Sequence, residues 1–242
     1  MSNLKETSPE PLPNNFEAMV FRRSLVAVLG FIILLWVVKI IEIGLDTSFA
    51  PYGILPRTWE GIKGIFLSPF IHGDMYHLIS NSIPLAVLGI GLFYFYTRIA
   101  VEVSLWIYVA TGFWVWIAAR GDSFHIGASG LVYGLAAFLI MGGFLRRNLR
   151  IMTTSLAVLF LYGGMFYGVL PGDPGISWES HALGVVSGAV LAIFFRREPI
   201  WTMPAPPMEE ETEEELSVEE SPARPAEPLV FPYRFVPEQE ED

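Results

Sequence analysis

The sequence contains no cysteine, and charged residues are few. Without cysteine the chain has no disulfide framework, no thiol nucleophile and no thiolate ligand for a metal ion. Asp, Glu, Lys and Arg make up only 17% of the 242 residues, and the basic residues form no stripe suited to nucleic acid. Apolar residues make up 52%, and the mean hydropathy is +0.47. A soluble domain of this size does not need so much apolar surface, so the composition predicts a membrane protein.

The two ends of the sequence are polar. Residues 1–20 contain three prolines and are predicted to form a flexible cytoplasmic arm. Most of the acidic residues that give the net charge of -10 lie in residues 199–242. This segment is rich in proline and glutamate, a composition that predicts a disordered tail. Within that tail, residues 229–236 form an apolar island. Two interpretations of the island stay open: a docking motif for a partner, and an unstructured remnant.

Six apolar segments lie between these ends. Each is about long enough to cross roughly 30 Å of hydrocarbon at 1.5 Å per residue, although the last is short. A segment in lipid must satisfy its own backbone, so all six are predicted to be helices. Residues 21–198 are therefore expected to form an all-α, six-transmembrane-helix bundle with a long first outer loop, residues 44–74. The predicted spans are residues 24–43, 75–96, 101–119, 127–145, 151–170 and 180–195.

Charge in the connecting segments predicts the orientation. Arginine is concentrated on one side of the predicted bundle, and acidic residues dominate the other. The positive-inside rule then places both termini in the cytoplasm, as in a multi-pass protein of a bacterial inner membrane. The arginines of the inner side are Arg22, Arg23, Arg98, Arg146, Arg147, Arg150, Arg196 and Arg197.

Polar residues cluster at the outer ends of three predicted spans. His77 and Asn81 lie in the first turns of span 2, Ser129 lies near the start of span 4, and His181 opens span 6. Since these spans enter from the same face, the four side chains are expected at similar depth. Polar groups inside a span are costly and point to a functional site, here a hydrated pocket open to the outside.

Ser129 is the candidate nucleophile. It lies in the run Gly127-Ala-Ser-Gly130, where small neighbours leave a hydroxyl exposed. A helix start also offers unpaired N–H groups that would stabilise an oxyanion. A small-residue packing motif is the commoner role for a serine in a membrane helix.

His181 is the candidate general base. The pairs Gly130 and Gly134, and Gly184 and Gly188, share a four-residue spacing that lets two helices approach closely. Span 6 packed on span 4 would bring the imidazole to the serine hydroxyl. A buried structural histidine and a proton relay in a transporter are the alternatives.

His77 and Asn81 are four residues apart and share one helix face. Their N–H groups, with the Ser129 backbone N–H, would form an oxyanion hole, and interhelical hydrogen bonding is the alternative. Tyr133, one turn after Ser129, is expected either to support the His181 ring or to pack in the core.

Three motifs together resemble the rhomboid family of intramembrane serine proteases. These are Gly-Ala-Ser-Gly-Leu-Val-Tyr-Gly-Leu at 127–135, His-Leu-Ile-Ser-Asn at 77–81 and His-Ala-Leu-Gly-Val-Val-Ser-Gly at 181–188. The resemblance covers residues 22–197 and implies a Ser129–His181 dyad without an acid, oxyanion stabilisers His77 and Asn81, and ring support from Tyr133. It also implies transmembrane protein substrates in the lipid bilayer. Ser180 stands where alanine is commoner in the family, and the Trp-Arg signature of some relatives is missing from the first outer loop.

Other polar residues are given structural roles. His72 and His125 are expected in loops or at the interface, and a place at the mouth of the cavity is the alternative. Lys39 and Glu42 are expected to snorkel to the interface. The histidines show no metal-ligand spacing with a carboxylate on one helix, so neither metal nor cofactor is predicted. An inactive family member that binds membrane proteins and a small transporter are the rival functions. The retained serine and histidine oppose the first, and the uncharged inner half of the spans opposes the second.

Overall fold

A computed structural model describes residues 15–161, 167–171 and 175–200 of the chain. Residues 201–242, which include nearly all of the acidic tail and its apolar island, lie outside the described residues, as do the first 14 residues. Six helices of 13 or more residues occur in the described part of the chain, and we number them in order. They are α1 Phe16–Gly44, α2 Met75–Phe95, α3 Ala100–Ala118, α4 Ser129–Leu145, α5 Leu149–Leu161 and α6 Trp178–Phe194.

The helices have the length and composition of a membrane protein. α1, α2 and α3 are each long and apolar enough to cross a bilayer, while α4 and α6 are apolar but only 17 residues long. The prediction of an all-α membrane bundle is confirmed at this level. That six helices cross the bilayer stays a prediction.

α1 packs against the bundle along one stripe. Its buried residues recur every three or four positions, and Val28 meets Gly89 of α2. The helix begins at Phe16 rather than at residue 24, so residues 16–20 of the predicted arm are helical. The Tyr94 hydroxyl donates a 2.7 Å hydrogen bond to Glu17 and fastens this extra length to α2. Hydropathy predicted only the part of the helix that is apolar enough to lie in lipid, so the more polar first turns of α1 were missed.

Lys39 and Glu42 lie on the same buried stripe of α1, so the prediction that they snorkel is wrong. Their side chains are buried, and Lys39 Nζ lies 2.7 Å from Glu42 Oε2. Each group has a charged partner inside the protein, which replaces the water that snorkelling would supply.

α4 is the central helix, with most of its residues buried. α6 packs along it at two glycine crossings: a Cβ on Gly184 would collide with the Gly130 carbonyl, and one on Gly188 would collide with the Gly134 carbonyl. The two backbones are therefore in direct contact. This contact brings the beginning of α6 beside the beginning of α4, where the polar residues lie.

The segment between α1 and α2 folds through short helical turns onto the residues at the end of α3 and before the start of α4. An antiparallel bridge joins Ile54 to His125, with N–H to O distances of 3.0 and 2.8 Å. The Arg57 guanidinium donates to the Ala119 carbonyl at 2.6 Å and caps the end of α3. Further along, the Ser68 carbonyl accepts from the Gly127 N–H at 2.8 Å. The loop is thus tied to the residues that lead into α4.

Candidate active site

Ser129 and His181 meet at the start of α4 and the first turn of α6. The Ser129 Oγ lies 2.8 Å from His181 Nε2, and both residues are 9% exposed. This is hydrogen-bonding distance, which is the geometric requirement for a serine nucleophile and its base. The glycine crossings one and two turns further along hold the two helices at this separation.

A main-chain carbonyl fixes the orientation and tautomer of the imidazole. His181 Nδ1 lies 2.7 Å from the Gly168 carbonyl oxygen. A carbonyl only accepts, so Nδ1 carries the proton and Nε2 presents its lone pair to the Ser129 hydroxyl, which donates to it. No sequence signal identifies Gly168 as the partner of His181, because every residue has a main-chain carbonyl.

The Tyr133 ring lies flat on the imidazole. Their centroids are 4.2 Å apart, and the planes differ by 9°. Tyr133 follows Ser129 by one turn of α4, so one helix supplies both the hydroxyl and the surface that restricts the ring. Tyr133 is also part of the buried core, so both predicted contacts are present, and its role at the site stays a prediction.

Glu179 carries the carboxylate nearest in sequence to His181, and it pairs with Arg120. Glu179 Oε1 lies 3.4 Å from Nε of Arg120, and the Arg120 backbone N–H also faces it. Arg120 in turn donates to the Ile176 carbonyl at 2.6 Å. Glu179 therefore anchors the start of α6 to the end of α3. The orienting group on Nδ1 is a neutral carbonyl, so the pair has the arrangement of a dyad.

His77 and Asn81 lie against the backbone that leads to Ser129. Gly127 has φ +105°, and a Cβ there would lie 2.6 Å from His77 Nε2 and 3.7 Å from Asn81 Nδ2. Asn81 Nδ2 donates to the His77 carbonyl at 3.0 Å. An amide nitrogen carries two hydrogens, so this bond uses one of them. The two side chains thus lie together beside Gly127, two residues before the nucleophile, and their role in catalysis stays a prediction.

His72 is a further neighbour of the candidate site. It lies in a loop, as expected, but it is only 1% exposed, and its Nε2 accepts the Ala128 N–H at 3.4 Å. Its ring meets His77 edge to face, with centroids 5.0 Å apart. Burial, with a smaller contribution from the neighbouring His77, lowers the pKa of His72 to about 4, so the ring is neutral at pH 7. A neutral ring can accept the Ala128 N–H, whereas a protonated one cannot.

His125 also lies in a loop and is buried. Its Nε2 bonds to the Arg120 carbonyl at 2.9 Å, and its Nδ1 bonds to the Ser177 hydroxyl. Ser177 bonds in turn to Ser180, which explains how a serine is accommodated where alanine is commoner. His125 therefore supports the residues that lead into α6.

Comparison with known proteins identifies the family. The model of the rhomboid domain matches residues 58–198, a segment that contains all the candidate site residues. An uncharacterized protein of Mycobacterium tuberculosis is 37% identical over 177 residues, which are 68% of this chain and 72% of the relative. An uncharacterized protein of Mycobacterium leprae is 38% identical over 177 residues, with 69% of each chain covered. The domain match extends over more than half of an apolar, helical chain, and this integral membrane protein therefore belongs to the rhomboid family.

Proposed function

We propose that the protein is an intramembrane serine endopeptidase that cleaves peptide bonds in or near transmembrane segments of other proteins. The observation that carries the proposal is the 2.8 Å approach of Ser129 Oγ to His181 Nε2, with Nδ1 committed to the Gly168 carbonyl. Packing alone does not require a histidine whose lone pair faces a serine hydroxyl. This arrangement is what base-assisted nucleophilic attack requires.

The reaction proceeds in two halves. Ser129 Oγ attacks the substrate carbonyl carbon while its proton passes to His181 Nε2, and the carbonyl electrons move onto oxygen. The tetrahedral intermediate collapses, the C–N bond breaks, and His181 gives its proton to the leaving amine. Water then attacks the acyl-serine ester with His181 again as the base, which releases the acid and restores the hydroxyl.

The developing oxyanion lies on the side of Ser129 that faces α2. Asn81, His77 and the Ser129 N–H at the beginning of α4 are the proposed donors. The start of a helix also presents unpaired N–H groups and the positive end of its dipole. Each donor is held by the backbone or by a neighbouring side chain before substrate arrives, so little reorganisation is needed.

The substrates we propose are membrane proteins with a single span. A peptide in a membrane helix has its carbonyl bonded within the helix, so the segment must unwind locally before Ser129 can reach it. The predicted orientation places both termini of the enzyme in the cytoplasm of a bacterial cell and the dyad near the outer face of the inner membrane. Water would then reach the dyad from outside.

Purified protein in lipid vesicles with a single-span reporter tests the function. Wild type is expected to cleave the reporter and to be labelled at Ser129 by a fluorophosphonate, and Ser129→Ala is expected to abolish both. Ser187→Ala is the matched control, because this buried α6 serine bonds only within its own helix, to the Leu183 carbonyl. Reporter binding without cleavage in the wild type would instead indicate an inactive family member. Solute flux that survives Ser129→Ala would indicate a transporter.

A further inference from the structure

A buried charge pair sits near the outer end of α1 without a role in the proposed reaction. Lys39 and Glu42 are 7% and 6% exposed, and their charged atoms are 2.7 Å apart. Charges inside a membrane protein are costly and call for a functional explanation. A buried ion pair is also weak evidence for stability, because well-packed apolar residues often replace it without loss.

The pair binds both ends of the first outer loop. Lys39 Nζ donates to the His72 and Gly73 carbonyls, at 2.9 and 3.1 Å. With Glu42, these acceptors use all three ammonium hydrogens. The second carboxylate oxygen of Glu42 accepts the Phe49 N–H at 2.7 Å. The loop is therefore held where it leaves α1 and again where it enters α2.

The segment that Lys39 holds is in direct contact with the oxyanion side of the candidate site. The His72 ring packs on His77 and accepts the Ala128 N–H. Asp74, the next residue after Gly73, caps α2 by accepting the His77 N–H at 2.8 Å. The two carbonyls that the Lys39 ammonium binds therefore belong to the same short segment, residues 72–74, whose other contacts hold His77 and Ala128, the residue before the nucleophile.

We propose that Lys39 is a positioning residue, which holds the His72–Gly73 segment so that His77, Asn81 and the backbone before Ser129 are aligned for the oxyanion. The inference rests on the proposed function. It links Lys39 to stabilisation of the oxyanion and not to the dyad. The His181 ring is held by contacts with Ser129, Tyr133 and Gly168, and none of these residues belongs to the His72–Gly73 segment. Losing the ammonium should therefore weaken transition-state stabilisation and leave substrate binding nearly intact.

The first test is Lys39→Met, which keeps an unbranched side chain only one atom shorter and removes the charge and its three donors. Cleavage of the single-span reporter in vesicles is expected to lose kcat by about 10- to 100-fold, because the oxyanion donors are displaced and not removed: a misplacement of about 1 Å costs about 100-fold, and the loss of one donor costs about 100- to 1,000-fold. KM is expected to change by less than about twofold, because only transition-state binding is lost. Lys63→Met is the matched control, since Lys63 is an exposed lysine of the same loop. It should cleave as wild type does.

A second variant separates positioning from stability. Lys39→Met leaves Glu42 buried and unpaired, so that variant alone is at risk of unfolding. Lys39→Met/Glu42→Leu removes both charges, and its thermal unfolding in detergent is expected to return close to wild type. We expect its kcat to stay low, because the two carbonyls still lack their donor. Recovery of wild-type kcat together with stability would overturn the inference.

A double-mutant cycle tests the route through the oxyanion. The Lys39 variant used is the one that unfolds at the wild-type temperature, and Asn81→Ala is added to it. The value of kcat is then compared among wild type, Asn81→Ala, the Lys39 variant and the combined variant. If Lys39 acts through the oxyanion groups, the combined loss is smaller than the product of the two single losses. Losses that multiply would overturn the assignment. Wild type that neither cleaves nor reacts with the fluorophosphonate would instead overturn the proposed function, and the inference with it.

Discussion

At the scale of single residues, Gly127 meets two requirements that only glycine satisfies together. Its φ of +105° is a conformation that L residues rarely adopt, and a Cβ would lie 2.6 Å from His77 Nε2. Gly127→Ala is therefore expected to cost about 1–2 kcal/mol of stability from the backbone alone. It should also displace the His77 ring and lower kcat about tenfold or more. Thermal unfolding and reporter cleavage measure the two effects separately.

The control for this prediction is Gly30→Ala. Gly30 lies within α1, and a Cβ there would meet nothing within 4 Å. Alanine favours a helix over glycine by about 1 kcal/mol, so stability should hold or rise slightly and cleavage should be unchanged. Wild-type kcat in Gly127→Ala would show that the His77 side of the nucleophile does not contribute.

The residues around the dyad show which contacts a sequence can reveal. Ser129, His181 and Tyr133 follow from motif and helical spacing, because side chains four apart on a helix share a face. The Gly168 carbonyl does not follow, since hydrogen bonding by the main chain leaves no mark on residue type. The contact partners of His72 and Lys39 were not predicted, for a related reason. Their contacts join segments distant in sequence, and neither a loop nor a lone lysine has a periodicity that predicts its partner.

At the scale of elements, the site depends on how closely α6 approaches α4. A Cβ on Gly184 would meet the Gly130 carbonyl, which is backbone and cannot move aside as a side chain can. Gly184→Ala is therefore expected to push the helices apart, cost roughly 1–3 kcal/mol and lengthen the Ser129–His181 contact. Reporter cleavage should fall by about 100-fold if the contact lengthens by about 1 Å. Fluorophosphonate labelling should slow in parallel.

Gly91→Ala is the matched change on another helix. A Cβ at Gly91 of α2 would meet only side-chain atoms, Leu139 Cδ1 at 3.8 Å and Thr154 Cγ2 at 4.0 Å, which are ordinary contacts. Its stability and cleavage should stay near wild type. If both alanine variants behave alike, close approach of α4 and α6 is not what brings the dyad together.

The helices themselves were largely predictable, and their ends were less so. Lipid requires long apolar runs, so α2, α3 and α4 begin and end close to the predicted limits. α1 starts earlier because Glu17 has a partner on α2, which hydropathy does not report. Predicted span 5 extends past Leu161 into residues 162–166, which lie outside the described part of the chain.

At the scale of the whole molecule, one end of the bundle carries the candidate site and the other end stabilises the packing of the helices. The candidate site occupies the end where α4 and α6 begin, and Arg146 joins the helices where they finish. Its guanidinium donates to the Phe195 carbonyl after α6 and lies 5.1 Å from the Tyr96 ring after α2. It also reaches the Gly142 carbonyl of α4 at 3.4 Å. A cation here satisfies helix-end carbonyls and complements their dipoles.

Arg146→Met should therefore lower stability without changing the chemistry. Loss of these charged hydrogen bonds is expected to cost about 1–3 kcal/mol, seen as a lower thermal unfolding temperature in detergent. α4 extends about 25 Å from Ser129 at 1.5 Å per residue, so kcat well below the unfolding temperature should stay within about twofold of wild type. Arg197→Met, an exposed arginine at the same end, should change neither property. A large fall in kcat with unfolding unchanged would mean that the Arg146 end of the bundle is coupled to the dyad, contrary to this division of roles.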